Sequence, residues 1–437
     1  MREAHGRGTQ GREKVAFATF IWSLVVHALS SHGSLGHHLR AMSGKNISDA
    51  AAQERREGLS WAWFEALFVR LLRPLARRQH HPESFYHGMR LLGVDGSQWS
   101  LRNTAANTAA PRRRHGNGHS PSLAAFFKWG CAVLVELGTH QPLGASCTQM
   151  DGATEESEWS IAHRLWGSIP GQEDTLLLAD RYYGRGALIA QVQAQAGARC
   201  HLLVRVASNL RATVQQVLGD GSALVQVRVC HPHSQRTQHL LALREVRGEV
   251  RRTSKDQQKA GARTAVRLWT TLLDAQQHPA QELLALYAQR WEQELFFREL
   301  KRHTGREQLL RAGSIQGAEA EWGAMIIAAS LLAQQRLEAA QQVGLAPVRI
   351  SLSKISRAME ALLPVLSVAG HLISARQRAQ IITKFMAHTA REARIPPRRS
   401  RSCQRGLRKP ACTWPRIHAR SDLDGCWQYT VMNIPFP

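Results

Sequence analysis

The chain has 437 residues, with 57 Lys or Arg against 33 Asp or Glu, a net charge of +24 and a pI near 10.9. This length rules out a small disulfide-stapled protein and predicts about two or three structural units. Such an excess of positive charge indicates a polyanionic partner, with nucleic acid as the first candidate and an anionic membrane surface as the second. The seven cysteines are an odd number without zinc-like spacing, which indicates a reducing, cytoplasmic setting and argues against a zinc site.

The N-terminal part is predicted to be helical. Residues 1–14 are polar and charged, and we expect them to be disordered. Residues 15–85 show apolar residues at helical spacing, which predicts a helical DNA-binding domain. Its first stretch, VAFATFIWSLVVHAL, follows a positively charged start as a signal peptide would. The stretch is shorter than the ~20 residues of a membrane span and carries His27, so a buried helix is favoured.

Two apolar runs further along the chain end in an aspartate. LLGVDGS around Asp95 and LLLADRYYG around Asp180 each predict a buried strand with a carboxylate at its tip. Both aspartates also have an ordinary explanation. Asp95 precedes Gly96 as a turn former would, and Asp180 precedes Arg181, a partner for a structural ion pair.

The segments between and beyond the aspartates predict a core with an insertion. The core is expected at 86–207 and again at 279–340, separated by alternating apolar and polar residues at 208–278 that indicate a β-rich insertion. Within the first core part, a loop rich in Arg and Gly is too basic to pack and is predicted to meet phosphate, through Arg112, Arg113 and Arg114. Helices are expected at 341–390 and a basic, flexible tail at 391–437.

The second core part opens with the stretch Leu286–Arg302, which contains no Gly or Pro and is predicted to form one unbroken helix. At 3.6 residues per turn, four of its side chains share a face, namely Tyr287, Arg290, Glu294 and Lys301. The alternative is an amphipathic surface helix in which Glu294 pairs with Arg290 or Arg298. Arg298 and Arg302 are expected to face water or a partner.

Asp95, Asp180 and Glu294 come from three distant parts of the chain, and together they suggest a shared metal site. Hard divalent cations such as Mg²⁺ prefer carboxylate oxygens and bind substrate phosphates in their remaining positions. Two ions about 4 Å apart support phosphoryl transfer. The surrounding Lys and Arg fit a polyphosphate backbone better than a small metabolite.

These motifs resemble the DDE transposases of bacterial insertion sequences, in particular the insertion-sequence-four group, whose mark is Y-x-x-R-x-x-x-E with a Lys seven residues on. The resemblance covers about 91–335 and matches all four positions of that mark. It implies an α/β fold with a ribonuclease H-like core, a mixed sheet with flanking helices, interrupted by the β-rich insertion. An N-terminal helical domain and a helical, basic C-terminal region complete the implied fold.

The resemblance also implies cut-and-paste transposition through a hairpin intermediate. Asp95, Asp180 and Glu294 would be catalytic and hold two Mg²⁺ ions, with Mn²⁺ as a substitute. Tyr287, Arg290 and Lys301 would bind the phosphates near the cleaved end. Arg298 and Arg302 of the same stretch are further DNA-binding candidates. The implied partners are double-stranded DNA, as terminal inverted repeats and target, and a second copy of the chain, with no membrane.

Three alternatives stay open at this stage. Trp269 either stacks on an unpaired base, as an aromatic of the insertion does in the family, or is an ordinary buried strand residue. The protein could be a catalytically decayed, DNA-binding regulator of transposition. It could also be a related structure-specific nuclease without strand transfer.

Overall fold

The computed structural model describes residues 15–30, 32–108, 114–115, 122–124, 126–150, 158–230, 237–251, 263–303, 309–369, 372–395 and 416–417. The predicted disordered start at 1–14 and the loop residues Arg112 and Arg113 lie outside these ranges. Most of the predicted flexible tail also lies outside them.

The N-terminal part forms helices, as its apolar spacing predicts. Within the described residues these are α1 Phe17–Leu29, α2 Leu35–Ser43, α3 Asp49–Glu57 and α4 Trp61–Leu71. Helix α1, which contains most of the stretch with signal-peptide order, buries Phe20, Leu24 and Val25 in the core. No helix in the described ranges is long and apolar enough to cross a membrane.

A mixed β-sheet of ten strands forms the centre of the described structure. Its strands are β1 Phe85–Tyr86, β2 Met89–Ser100, β5 Lys128–Glu136, β6 Gln141–Gln149, β7 Thr175–Ala179, β8 Cys200–Arg205, β9 Thr213–Val217, β10 Ala223–Cys230, β11 Thr237–Arg251 and β12 Arg263–Thr270. A small second sheet consists of β3 Arg114–His115, β4 Ser122–Ala124 and β13 Arg416–Ile417. Strand β3 lies in the segment predicted as an unpacked loop, and β13 lies in the predicted flexible tail, so short pairings occur in both.

The order of the large sheet is β6-β5-β2-β7-β8-β12-β11-β10-β9, with β1 attached to β2. Strands β2, β5 and β6 are antiparallel neighbours, whereas β7 and β8 run parallel to β2 on its other side. The helices α6 Glu158–His163 and α7 Gly186–Ala196 belong to the connections between the parallel strands. The mixed α/β class predicted from the sequence is therefore confirmed.

The strands predicted as an insertion continue this sheet. Strand β12 pairs antiparallel with β8 through three residue pairs, from Leu268↔Arg205 to Thr270↔Leu203. Strands β11, β10 and β9 then follow as antiparallel neighbours. The division of the chain into domains stays a prediction, but 208–278 is joined to the core by a hydrogen-bonded ladder.

Helices of the second half cover the sheet and meet the N-terminal helices. Within the described residues they are α8 Ala280–Tyr287, α9 Trp291–His303, α10 Ile315–Val343, α11 Leu352–Ala369 and α12 Ala375–Glu392, after the four-residue α5 Ala105–Thr108 earlier in the chain. Helix α10 is buried along most of its length and packs against α1, α4 and β6. It therefore ties the N-terminal helices to the sheet.

Candidate active site

Asp95 and Asp180 lie side by side on neighbouring strands. The parallel pairing of β2 with β7 ends at Val94↔Ala179, and each aspartate is the next residue of its chain. The prediction that Asp95 ends its strand is wrong, because β2 keeps pairing with β5 as far as Ser100. Asp180 follows the end of β7, as predicted. The two carboxylates come together because both aspartates directly follow the last residue pair between β2 and β7.

The electrostatics of this pair favour a bound cation. The pKa of Asp95 is raised to about 7, first by burial and then by the nearby carboxylates of Asp180 and Glu158. The opposing contributions, the Gly96 amide and the Arg290 guanidinium, are smaller. Acidic oxygens that are crowded and poorly compensated in this way are a suitable donor set for a hard divalent cation.

Glu294 and Asp95 line the same cleft. The cleft has a volume of about 420 Å³. Within the described structure, however, Glu294 is paired with Arg290 over 2.6 Å, four residues back along the chain. This is the ion pair that the amphipathic-helix alternative predicts. Among the described residues, no three His, Cys, Asp or Glu side chains are placed to hold one metal ion.

Tyr287 contacts Arg290, its neighbour on the predicted face, but the two do not belong to one unbroken helix. The expected single helix is interrupted by a 3₁₀ turn at Ala288–Arg290, so Tyr287 ends α8 and Glu294 lies in α9. The Tyr287 hydroxyl donates to the Ala179 carbonyl over 3.1 Å, and burial raises its pKa to about 12. Tyr287 therefore fixes the end of β7 directly before Asp180.

Three cations of α9 line the cleft beside the carboxylates, namely Arg298, Lys301 and Arg302. The Lys301 ammonium lies 4.7 Å from the centroid of the Trp99 ring, and burial lowers its pKa. The ring holds the ammonium at the cleft wall by a cation–π contact. Arg114 lies in β3, where its main chain pairs with Leu123.

Glu158, at the start of α6, is a site residue that the sequence reasoning missed. Its carboxylate accepts a hydrogen bond from the Tyr183 hydroxyl over 2.9 Å. It also rests on Gly96, where an added Cβ would lie 2.2 Å from the Glu158 carboxyl carbon. A helix was expected here, but only the crossover between β6 and β7 brings its first turn to Asp95. The sequence feature that could have indicated a partner such as Glu158 is Tyr183, which belongs to the motif that contains Asp180.

Polar contacts on the far side of α9 fix its rotation. Gln293 donates to the Val133 carbonyl of β5 over 3.1 Å. The His140 ring lies 2.9 Å from Glu292 and 2.7 Å from Glu299. Arg336 of α10 pairs with Glu299 over 2.8 Å. These contacts place Glu294 on the face that lines the cleft together with Asp95.

The buried His140 cluster predicts a pH dependence of stability. Burial by itself would lower the pKa of His140, but Glu299 and Glu292 outweigh both burial and Arg336 and raise it above 6.5. The stabilisation is therefore complete below the unfolded pKa of about 6.5 and is lost as the pH rises through the raised folded pKa. We expect urea denaturation to show lower stability at about pH 9 than at about pH 6, and His140→Gln to flatten this difference. An unchanged difference in the variant would contradict the assignment.

Trp269 is a buried strand residue. It is 1% exposed, and its indole N–H donates to Glu245 over 2.8 Å. Glu245 also accepts from Arg267 over 2.6 Å. With its indole N–H satisfied inside the sheet, Trp269 matches the structural alternative left open by its sequence.

The family model described as Transposase DDE domain matches residues 86–331, more than half of the chain. The chain is 25% identical over 426 residues to Transposase InsG for insertion sequence element IS4 of Escherichia coli (strain K12), covering 95% of this chain and 90% of that protein. It is also similar to a piggyBac transposase chain from a synaptic complex with hairpin DNA, with 12% identity, 92% and 82% coverage and a TM-score of 0.44.

Proposed function

Because the chain belongs to the Transposase DDE domain family, as its insertion-sequence-four motifs predicted, we propose that it moves an insertion sequence by cut-and-paste transposition through a hairpin intermediate. The protein is a DDE transposase, an enzyme that acts on DNA. The observation that carries the proposal is the placement of Asp95 beside Asp180, with Glu294 lining the same cleft as Asp95.

The proposed core is ribonuclease H-like. Three antiparallel strands followed by two parallel strands on the other side of the first strand support this assignment. In this arrangement Asp95 lies on the central strand and Asp180 at the end of its parallel neighbour. The proposed DNA-bound state is a homodimer that holds two terminal inverted repeats.

The proposed site holds Mg²⁺ between Asp95, Asp180 and Glu294. When bound there, the ions would lower the pKa of an attacking water and neutralise charge on the phosphate. Glu294 has to leave Arg290 to take part. A DNA phosphate that enters the cleft offers Arg290 another anion and so promotes this exchange. Burial disfavours an unpaired Arg290 guanidinium. The exchange avoids that state, because Arg290 passes from one anion to another.

The proposal is tested on DNA that carries the element's own ends. The flanking DNA should contain terminal inverted repeats bordered by short target duplications. A duplex with one such end, incubated with the full chain and Mg²⁺, should yield a nick and then a hairpin on a denaturing gel. Nicking without any hairpin would favour the structure-specific nuclease, and binding without nicking would favour the regulator.

Lys301 is expected to contribute one phosphate contact. Lys301→Ala should weaken end binding and lower the slope of log K against log salt concentration by about one. The matched control is Lys384→Ala, because Lys384 is an exposed lysine of α12. Titration of labelled DNA at several salt concentrations measures the slope. An unchanged slope would place Lys301 away from phosphate.

A further inference from the structure

A second basic surface lies beyond the cleft that holds the carboxylates. Strands β10, β11 and β12 and the loop after β8 enclose a cavity of about 1020 Å³. We call it the arginine groove, because six arginines of the described ranges line it: Arg181, Arg205, Arg211, Arg228, Arg247 and Arg267.

The arginine groove leads to the proposed catalytic site. A neighbouring cavity of about 580 Å³ shares Arg181, Arg211 and Arg228 with it and is also lined by Asp180. Among the described residues that line these two cavities, Asp180 is the only acidic one. A path of positive charge therefore runs from the end of β7 onto the β-rich segment.

Half of these arginines have no hydrogen-bond or ion-pair partner among the residues that the structure describes. Arg247 and Arg267 pair with Glu245, and Arg267 also donates to the Leu210 carbonyl over 2.7 Å. The exposed side chains of Arg181, Arg211 and Arg228 make no hydrogen bond or ion pair with any residue in the described ranges. Like charges gathered without carboxylates repel each other, so the groove is adapted to an anion that comes from outside.

Two features favour a single strand in the arginine groove, namely its fixed walls and a nearby exposed aromatic side chain. Its two walls, the loop after β8 and the sheet, are fixed to each other by Arg267, so the groove cannot easily widen. Single-stranded nucleic acid is held in narrow basic grooves with aromatic side chains on which bases stack. Tyr182 supplies such an aromatic, because it is 43% exposed and lines the cavity beside Asp180.

We infer that the arginine groove binds the sugar–phosphate backbone of an unpaired DNA strand that leaves the Asp180 end of the active site. The inference rests on the proposed function, because it takes Asp180 as part of the site where the strand is cut. It adds a binding site on strands that carry none of the three carboxylates. The arginines bind the strand and hold it in place, and none of them takes part in a chemical step.

The test compares two DNA probes in the presence of EDTA, so that binding is measured without cleavage. One probe is a blunt duplex, and the other is the same duplex with a single-stranded overhang of about five nucleotides. The full chain should bind the overhang probe more tightly. Arg211→Ala/Arg228→Ala should remove about tenfold of that affinity and lower the salt slope by about 1.4, at about 0.7 per single-strand phosphate. Its affinity for the blunt duplex should stay within about twofold.

The matched control is Arg376→Ala/Arg378→Ala, which removes two exposed arginines from α12. It should leave the preference for the overhang probe unchanged. Equal losses on both probes, or no loss on either, would overturn the inference while leaving the proposed function in place. If the unmodified chain binds neither probe, the proposed function itself is overturned.

Discussion

Glu294→Gln should reduce DNA strand cleavage by about 10³-fold or more while DNA binding stays largely intact. Glutamine keeps the size of the side chain but removes its negative charge from the cleft that Asp95 also lines. It also ends the ion pair with Arg290, which leaves that guanidinium available to phosphate. The loss should therefore appear in the rate of product formation at saturating DNA and not in the dissociation constant.

The control for this variant is Glu338→Gln, the same chemical change at an exposed position of α10. It should cleave and bind as the unmodified chain does. Single-turnover cleavage of a labelled transposon end, together with gel-shift titration, measures both quantities. Full cleavage by Glu294→Gln would refute the role assigned to Glu294.

Arg336→Met should destabilise the folded protein by about 3–5 kcal/mol. The Arg336 side chain is fully buried and donates to Glu299 over 2.8 Å and to the Ile350 carbonyl over 3.0 Å. The Arg336 and His140 charges outweigh burial and hold the pKa of Glu299 well below its usual range. Removing the guanidinium leaves that carboxylate buried with much less compensation. Urea denaturation measures the change.

A double variant separates charge from packing in this prediction. Arg336→Met/Glu299→Gln removes both charges, so it should be less destabilised than the sum of the two single variants. Arg357→Met, at an exposed position of α11, should change stability by no more than about 0.5 kcal/mol. Strict additivity of the two buried substitutions would show that their effects come from lost packing alone.

The sequence predicted those parts of the site that rest on local pattern. A run of apolar residues before Asp180 was enough to predict a buried strand and the acid that follows it. The pairing of Glu294 with Arg290 was also open to prediction, because it joins residues four apart in one helical stretch. Only the choice between that pair and a metal site was undetermined, since both use the same side chain.

The rest of the site depends on contacts that no local pattern encodes. Glu158 reaches Asp95 because a crossover connection folds over the sheet, and nothing in its own neighbourhood marks it. Tyr287 has the spacing of a phosphate ligand, yet the 3₁₀ turn after it directs its hydroxyl to the Ala179 carbonyl. The direct pairing of β12 with β8 depends on strand order, which alternation of apolar residues does not specify.

The pairing of β12 with β8 limits how the enzyme can be shortened. Where an inserted unit hangs from a core by loops, it can be cut out and the core closes over the gap. In this chain the outer edge of β8 is covered by β12, through the pairs at Leu203, Val204 and Arg205. Removing 208–278 would turn an interior strand into an exposed edge with unpaired amides, which promotes aggregation. A minimal catalytic fragment therefore has to retain β12.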